Sequence, residues 1–508
     1  MSEDIPSGWE RSTLGNVASL SNEKCEPSST NVLRYIGLEH IESGSQRITG
    51  VGSSADVSST KSAFRAGNVL YGKLRPYLKK VCRPTFDGIC STDILVFSES
   101  PSIDNGFLLY FLSRQETANF ATQNANGINL PRINSTTLGE LSIGIPPLAE
   151  QRRIVAKIEV SKERSRNARE ALAEVGPLLE QFRQSLLAAA FRGDLTTDWR
   201  AANPNVEPAS ELLKRIRQER RQKWEQGELA KYEAKGKQPP TDWHTGYQEP
   251  EPIDGTALPG LPDSWCWTRA EEVCVYITKG TTPPRESMSQ DSGEVRFLKV
   301  GNLTFSGALD FSKENAYIES RTHNSGVYAR SRVYPGDVLM NLVGPPLGKV
   351  SLIPTDLEHS NVNQAIAIFR SLMGLSSSYL TMALTTPSIL DRIISRAKQT
   401  SGQRNLTLDL ARGLPLPLAP LAEQEELATR LKTSLSIIEN LETELASSEG
   451  EMTQLDQSIL AKAFRGELVP QDPNDEPASV LLERIRDARH IAASTKSPKR
   501  KDAANGRK

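Results

Sequence analysis

Lys73, Arg75, Lys79, Lys80 and Arg83 crowd one short segment, with Tyr71 and Tyr77 among them. Forked guanidinium donors match the acceptor edge of guanine, and lysines meet phosphates. The mixture of cations and aromatic rings therefore suits a nucleic-acid surface, although a single surface Lys or Arg is more often only solvated. The formal net charge of −1 is at odds with a uniformly basic footprint. If this chain holds DNA, partners supply much of the charge that meets the backbone.

Signatures of catalysis are missing from the sequence. There is no G-x-x-x-x-G-K-[ST] phosphate loop, no H-E-x-x-H metal helix and no G-x-S-x-G nucleophile elbow. The histidines (His40, His244, His323, His359 and His490) have no ligand spacing. Gly344-Pro345-Pro346-Leu347 lacks the amide and the aromatic ring of an adenine-gripping Asn-Pro-Pro-aromatic string and reads as a turn. A nuclease site of clustered carboxylates and a lysine is weakly patterned, so a nuclease stays open as an alternative.

The elements that position these residues come twice. Pro147-Leu148-Ala149-Glu150-Gln151 recurs as Pro420-Leu421-Ala422-Glu423-Gln424, and Phe191-Arg192-Gly193-Asp194-Leu195 recurs as Phe464-Arg465-Gly466-Glu467-Leu468. Pro6-Ser7-Gly8-Trp9 matches Pro262-Asp263-Ser264-Trp265, and Gly67-Asn68-Val69-Leu70 matches Gly336-Asp337-Val338-Leu339. Leu78-Lys79-Lys80-Val81 matches Leu347-Gly348-Lys349-Val350, Asn129-Leu130 matches Asn405-Leu406, and Glu207-Pro208-Ala209-Ser210 matches Glu476-Pro477-Ala478-Ser479. This is a tandem duplication of a large unit rather than a solenoid. A chain of 508 residues is long enough for each copy to bury its own core. No apolar run is long enough for a membrane span, and the start is acidic, unlike a signal peptide. Five cysteines without a C-x-x-C pair predict reduced thiols and a cytoplasmic protein.

Each copy has two textures. The first mixes strands such as 94–97, 365–369, 69–71 and 338–340 with helices near 106–115 and 376–384, which predicts an α+β globule. The second is helical, entered after Pro147 or Pro420 and ended at Gly193 or Gly466. Leu431, Ile438, Leu445, Met452 and Ile459 recur every seven residues, with Leu427, Leu441 and Leu455 on the other core position. Ile158, Leu172, Leu179 and Leu186 hold the same phase in the first copy, with Ile154, Val175 and Phe182 beside them. A sustained 3.5-residue period predicts an antiparallel coiled coil. Gly176-Pro177 is expected to kink the first helix. A shorter charged helix follows Pro208 and Pro477, and 231–259 reads as a polar connector. The closely repeated helical ends are expected to face one partner twice, while the divergent globules read different things.

Pro-Pro-Leu-Ala-Glu-Gln at 146–151, Pro-Leu-Ala-Glu-Gln at 420–424 and Ser-Ile-Leu-Ala-Lys-Ala-Phe-Arg-Gly-Glu-Leu at 458–468 resemble the repeated regions of specificity (S) subunits of type I restriction-modification enzymes. Gly-Asn-Val-Leu-Tyr-Gly-Lys-Leu-Arg-Pro-Tyr-Leu at 67–78, and Thr400-Ser401-Gly402-Gln403 followed by Asn405-Leu406, resemble strings of their target recognition domains. The resemblance spans essentially the whole chain, with a longer connector and charged helix near 218–260. It implies two target recognition domains separated by a long antiparallel two-helix coiled coil, with pseudo-two-fold symmetry. The implied boundaries are 1–147 (first recognition domain), 148–245 (first helical region), 246–419 (second recognition domain), 420–490 (second helical region) and 491–508 (disordered basic tail).

The resemblance further implies a non-catalytic subunit in which each domain reads one half of a bipartite asymmetric site in double-stranded DNA. Two methyltransferase (M) subunits using S-adenosylmethionine would dock on the helices, and restriction (R) subunits would add ATP- and magnesium-dependent translocation and cleavage. This chain itself would bind no cofactor and no metal. Candidate DNA contacts are Lys73, Arg75, Tyr77, Lys79, Lys80 and Arg132 in the first domain, and Lys279, Thr281, Thr282, Arg285, Asn341, Lys349, Gln403 and Arg404 in the second. Phe191, Arg192, Gly193, Phe464, Arg465 and Gly466 would face the M subunits, with helix termination as their structural role. A coiled-coil adaptor that never touches DNA is the other alternative.

Overall fold

The computed structural model describes residues 5–27, 32–312, 314–344, 346–357, 359–400 and 403–495. It divides into two compact units. The first comprises the chain up to Ala173 together with the chain from Leu445 on, and the second runs from Glu174 to Glu444. The four long helices are α1 (Leu148–Phe191), α2 (Ala209–Ala234), α3 (Leu421–Arg465) and α4 (Ala478–Thr495). The tail expected to be unstructured from 491 thus begins in helix α4, and 496–508 lie outside the described residues.

Both units build their globule from the same sheets. In the first, a four-stranded sheet orders Ser19–Leu20, Ile94–Ser98, Val69–Gly72 and Val81–Cys82. In the second, Cys274–Lys279, Ile366–Ser371, Val338–Asn341 and Val350–Leu352 take the same order. A five-stranded sheet lies beside each, with one parallel pair: Arg34–Ile36 with Gly88–Cys90 in the first unit, and Val295–Leu298 with Ser360–Val362 in the second. A two-stranded ribbon joins the start and end of each globule, Glu10–Thr13 with Ser142–Ile145, and Cys266–Arg269 with Pro415–Leu418. The predicted helices form as Asn105–Leu112 and Ser377–Thr385. The class is α+β, as the alternation of strand and turn residues predicts.

Helices α1 and α3 pack together in antiparallel fashion. In the first unit Ser165 and Arg169 of α1 both reach Asp456 of α3 at 2.8 Å, and Arg153 pairs with Asp475, beyond the end of α3, at 2.7 Å. In the second, Arg183 of α1 pairs with Glu442 of α3 at 3.1 Å, and Arg430 reaches Asp198, beyond the end of α1, at 2.7 Å. Ile158, Leu186, Leu431 and Ile438 are buried, and Leu172, Leu179, Leu445, Met452 and Ile459 are half-buried. Leu441 and Leu455, expected in the core, are 43% and 52% exposed, and Phe182 is 57% exposed. A straight helix drifts about 20° per heptad from a seven-residue pattern, and a two-helix seam covers only one face. The apolar positions half a heptad away therefore turn outward. Helix α1 continues through the Gly176-Pro177 step, although Pro177 has no N–H to donate.

One junction ties each globule to its helices, and the repeated motifs build it. In the first unit the Trp9 indole donates to Glu150 at 3.0 Å; in the second the Trp265 indole donates to Glu423 at 2.8 Å. The neighbouring amides act as clamps. Gln151 accepts from the Asp104 N–H and donates to the Pro146 carbonyl, while Gln424 accepts from the Ser376 N–H and donates to the Ala419 carbonyl. All four of these carboxylate and amide side chains are buried. Gly193 (φ 84°) and Gly466 (φ 77°) occupy the left-handed region, where a Cβ is strained, and a Cβ there would also collide with Pro262 or Pro6. Each helix end thus completes the other copy's globule: the end of α1 serves Trp265's domain, and the end of α3 serves Trp9's.

The connector is more ordered than its polar composition predicts. Trp243 stacks on Trp224 of α2 with centroids 6.1 Å apart, and Tyr247 packs on the same ring at 5.4 Å. All five cysteines are free. Among the described residues, no helix is long and apolar enough to cross a membrane.

Burial lifts the Glu150 carboxyl above the usual carboxylate range, against the Trp9 indole and Arg153, which favour the charged form. A carboxyl raised by folding adds stability in its protonated form, and that share is lost as pH rises through its folded-state value. Glu150→Gln keeps an acceptor for Trp9 and cannot titrate. The unfolding-midpoint difference, wild type minus variant, should therefore decline from pH 4 to pH 7 in thermal melts. A difference that grows over that range would contradict this account.

Candidate nucleic-acid interface

The basic segment of the first unit forms a turn at the end of strand Val69–Gly72. A hydrogen bond from Gly72 N–H to the Lys80 carbonyl at 2.8 Å joins its two arms, and one from Lys73 N–H to the Asp93 carbonyl at 2.8 Å ties it to the segment before strand Ile94–Ser98. A second hairpin lies against it. Asn126 and Arg132 exchange backbone hydrogen bonds at 2.9 Å, Ile133 N–H reaches the Lys73 carbonyl at 3.1 Å, and Arg75 N–H reaches the Pro131 carbonyl at 2.7 Å. The two turns are thereby fixed to one another.

The charged side chains here differ in what they are free to do. Arg132 pairs with Asp93 at 2.7 Å. Burial depresses the Lys73 pKa, Asp93 opposes the shift and Arg132 adds to it. Lys79 donates to the Gln115 side chain at 3.0 Å. Lys80 donates to the Leu38 carbonyl at 2.6 Å, which ties the turn to its own domain. Arg75 is exposed, and its guanidinium has no hydrogen-bond or ion-pair partner among the described residues. Tyr77 beside it is 50% exposed.

In the second unit, Lys279, Thr281, Thr282 and Arg285 fall on one stretch that leaves strand Cys274–Lys279. Lys279 and Arg285 are exposed. Thr281 accepts from Arg330 Nε at 2.8 Å, and Thr282 hydrogen-bonds Gln364. Asn341 is fully buried. Its amide donates to the Val343 and Pro346 carbonyls and accepts from Lys349 N–H, so it closes a loop and is not a surface reader. Lys349 donates to the Val300 carbonyl at 3.4 Å, as Lys80 does to Leu38. The cleft beside it, of about 680 Å³, is lined by Lys299, Thr304, Phe305 and Glu314 among others. Gln403 and Arg404 belong to a strand, but their side chains lie outside the described residues.

The hydrogen bonds revise one match between the copies. Leu406 N–H reaches the Leu342 carbonyl at 2.8 Å, as Ile133 reaches Lys73. Val343 bridges Asn405 as Leu74 bridges Arg132. Asn405-Leu406 therefore corresponds to Arg132-Ile133, not to Asn129-Leu130. The residues between form a protruding tip, where Ile128 is 100% exposed and Leu130 55%. Nothing in an Asn-Gly-Ile-Asn-Leu string tells an exposed apolar tip from a buried strand, so sequence reasoning missed it.

The expected partner-facing tripeptides divide by side chain. Phe191 is 5% exposed and packs on Tyr379 with centroids 5.2 Å apart, while Phe464 packs on Phe107 at 4.9 Å. Both rings pack into the junction of helix and globule, Phe191 buried and Phe464 half-buried. Arg192 and Arg465 are exposed, each paired with the carboxylate two residues on. The apolar surface of the helices lies elsewhere. Leu178, Phe182, Ile437 and Leu441 are exposed in the second unit, and Val160 and Leu455 in the first.

Comparison with known proteins agrees with this architecture. Residues 6–173 match the family described as "Type I restriction modification DNA specificity domain". The EcoDI type I restriction enzyme specificity subunit of Escherichia coli is 34% identical over 226 residues, covering 42% of this chain and 50% of that relative. The chain thus spans about half the length of that relative. The EcoKI specificity subunit of Escherichia coli strain K12 is 24% identical over 428 residues, covering 82% of this chain and 77% of the relative. Two solved structures share the fold at 23% identity. A chain from work on complex assembly and conformational transition of the type I R-M system has a TM-score of 0.67, covering 92% of this chain and 100% of its own. The HsdS subunit from Thermoanaerobacter tengcongensis has a TM-score of 0.56, covering 91% of this chain and 98% of its own. The chain is thus similar over residues 6–173 to the type I restriction modification DNA specificity domain, and the relatives it resembles over longer stretches are specificity subunits of type I restriction enzymes.

Proposed function

We propose that this chain is the DNA-recognising, non-catalytic subunit of a type I restriction-modification complex. Each globular domain reads one half of a bipartite asymmetric site, and the long helices set the spacing between the halves. The observation that carries this reading is the contrast between junction and loop. The Trp–Glu contact and the glutamine clamp are built twice from the same residue types. The turns that follow the central strands share a backbone course but not their side chains: Arg75 and Lys79 stand where the other domain has Gly344 and Gly348. A constant frame with divergent surface loops suits two readers of different sequences.

Two methyltransferase subunits dock on the helical regions and bring S-adenosylmethionine. Restriction subunits, where present, bring ATP and magnesium. The exposed Leu178 and Phe182 on α1 and Ile437 and Leu441 on α3 support docking here, because uncovered apolar side chains one turn apart on a helix favour a partner helix. Phe182→Ser together with Leu441→Ser should weaken co-purification of the methyltransferase subunit at least tenfold with little change in the unfolding midpoint of the chain alone. Undiminished co-purification would move the docking surface elsewhere.

The decisive experiment maps methylated adenines in cells carrying the chain with its methyltransferase partner. One bipartite motif with an unspecified gap is expected. Exchanging residues 1–146 for those of another family member should replace one half of the motif only. A change in both halves, or in neither, would refute the two-reader scheme, and absence of any DNA binding by the assembled complex would favour a protein-only adaptor.

A further inference from the structure

We infer that Ile128 is an apolar wedge that the first domain inserts between stacked base pairs of its half-site, holding one step of the duplex open. This rests on the DNA-recognition reading above. Ile128 is 100% exposed and Leu130 55%, at the tip of the hairpin that Asn126 and Arg132 close. A single exposed apolar side chain is ordinary on a protein surface. This one is set apart by how it is held and by what surrounds it.

The tip is tight and firmly supported. Gly127 turns with φ 99°, and a Cβ there would meet the Leu130 carbonyl oxygen at 3.1 Å, so the loop closes closely on itself. The returning arm is bonded to the neighbouring turn, from Arg75 N–H to the Pro131 carbonyl at 2.7 Å and from Ile133 N–H to the Lys73 carbonyl at 3.1 Å. The leading arm leaves helix Gln115–Gln123, where the Asn124 side chain donates to the Phe120 carbonyl at 2.8 Å. A slack loop would fold its isoleucine back onto the domain and gain by hiding it from water. This frame holds Ile128 outward instead.

The charge at the foot of the hairpin selects the occupant. Lys73, Arg75 and Arg132 lie there, with Arg132 paired to Asp93 at 2.7 Å. Lys73 and Arg75 belong to the string that resembles those of other recognition domains. Cations common to readers of different sequences suit phosphates, which are alike in every site. Phosphates held at the foot bring the tip to a groove, where isoleucine and leucine are among the side chains that part a base step. A duplex loosened at one step also releases a base more readily, which adenine methylation requires.

The test uses the full chain assembled with its methyltransferase partner and a duplex carrying the motif found by methylation mapping. The fluorescent base 2-aminopurine, which stacking quenches, replaces in turn each position of the first half-site and its flanks other than the methylated adenine. Wild type should raise the fluorescence at one step on binding. Ile128→Ser should abolish that rise and weaken binding about tenfold. Its unfolding midpoint should move by less than about 2 °C, since the side chain it loses is fully exposed. Ile128→Met should keep the rise, and a mismatch at the responding step should restore the affinity of Ile128→Ser, because that step is already loosened. A wild-type complex that binds the duplex without unstacking any base overturns the inference, as does a rise that survives Ile128→Ser. Loss of the methyltransferase subunit from Ile128→Ser would overturn it too, making the tip a protein contact. Failure of the DNA-recognition reading looks different, because then the wild-type complex retards no duplex at all.

Discussion

A buried carboxylate held by a tryptophan indole is the contact on which each half of this molecule depends. Glu150 and Glu423 sit at the first turn of helices α1 and α3, where a negative charge is favoured by the helix dipole. Neither is exposed to water, so each needs its hydrogen-bond partners to offset desolvation. Trp9 and Trp265 supply them from the opening segment of each globule, and in the second unit Arg200 and Thr196 add two more. The adjoining glutamine ties the turn before the central helix of the globule to the end of its last strand. Sheet, ribbon and long helix are thereby fixed at a single point, and the loops that carry the exposed charges project from a frame that cannot shift independently.

Much of this was legible in the sequence. The repeat, the strand pair at each sheet centre, the helix bounds and the glycine stops follow from period and turn chemistry, which act locally. The role of the repeated motifs was not. Near-identity at Pro-Leu-Ala-Glu-Gln and Phe-Arg-Gly predicts a shared partner surface, yet the structure turns Glu150, Gln151 and Phe191 inward. A sequence repeat states that two environments are alike and does not say whether the environment is solvent, partner or core. The heptad pattern misleads in the same way: Leu441 has the spacing of a core residue, but a pair of helices offers it no second neighbour.

The candidate contacts fare unevenly for a physical reason. Lysine has a long stem and three donors, so proximity in sequence to a basic cluster says little about where its ammonium ends. Lys80 and Lys349 both turn back to carbonyls of their own domain, and Asn341 is consumed by its own loop. Arg75 is exposed on a left-handed residue, a fact of φ that residue type alone does not disclose.

The exchange of helix ends between the copies has a consequence for how the molecule is made. The first globule is completed by the stretch that includes Phe464, Gly466 and Ala478, which leaves the ribosome after the second globule. The second finds its closing pieces, Phe191 and Gly193, already synthesised. The first globule must therefore wait, with Trp9 and Phe107 lacking their cover, while the whole second globule emerges, and it closes a far longer loop than the second does. Vectorial synthesis favours the second globule maturing first, and a nascent chain stalled before Phe464 leaves an open apolar surface for chaperones or proteases to find.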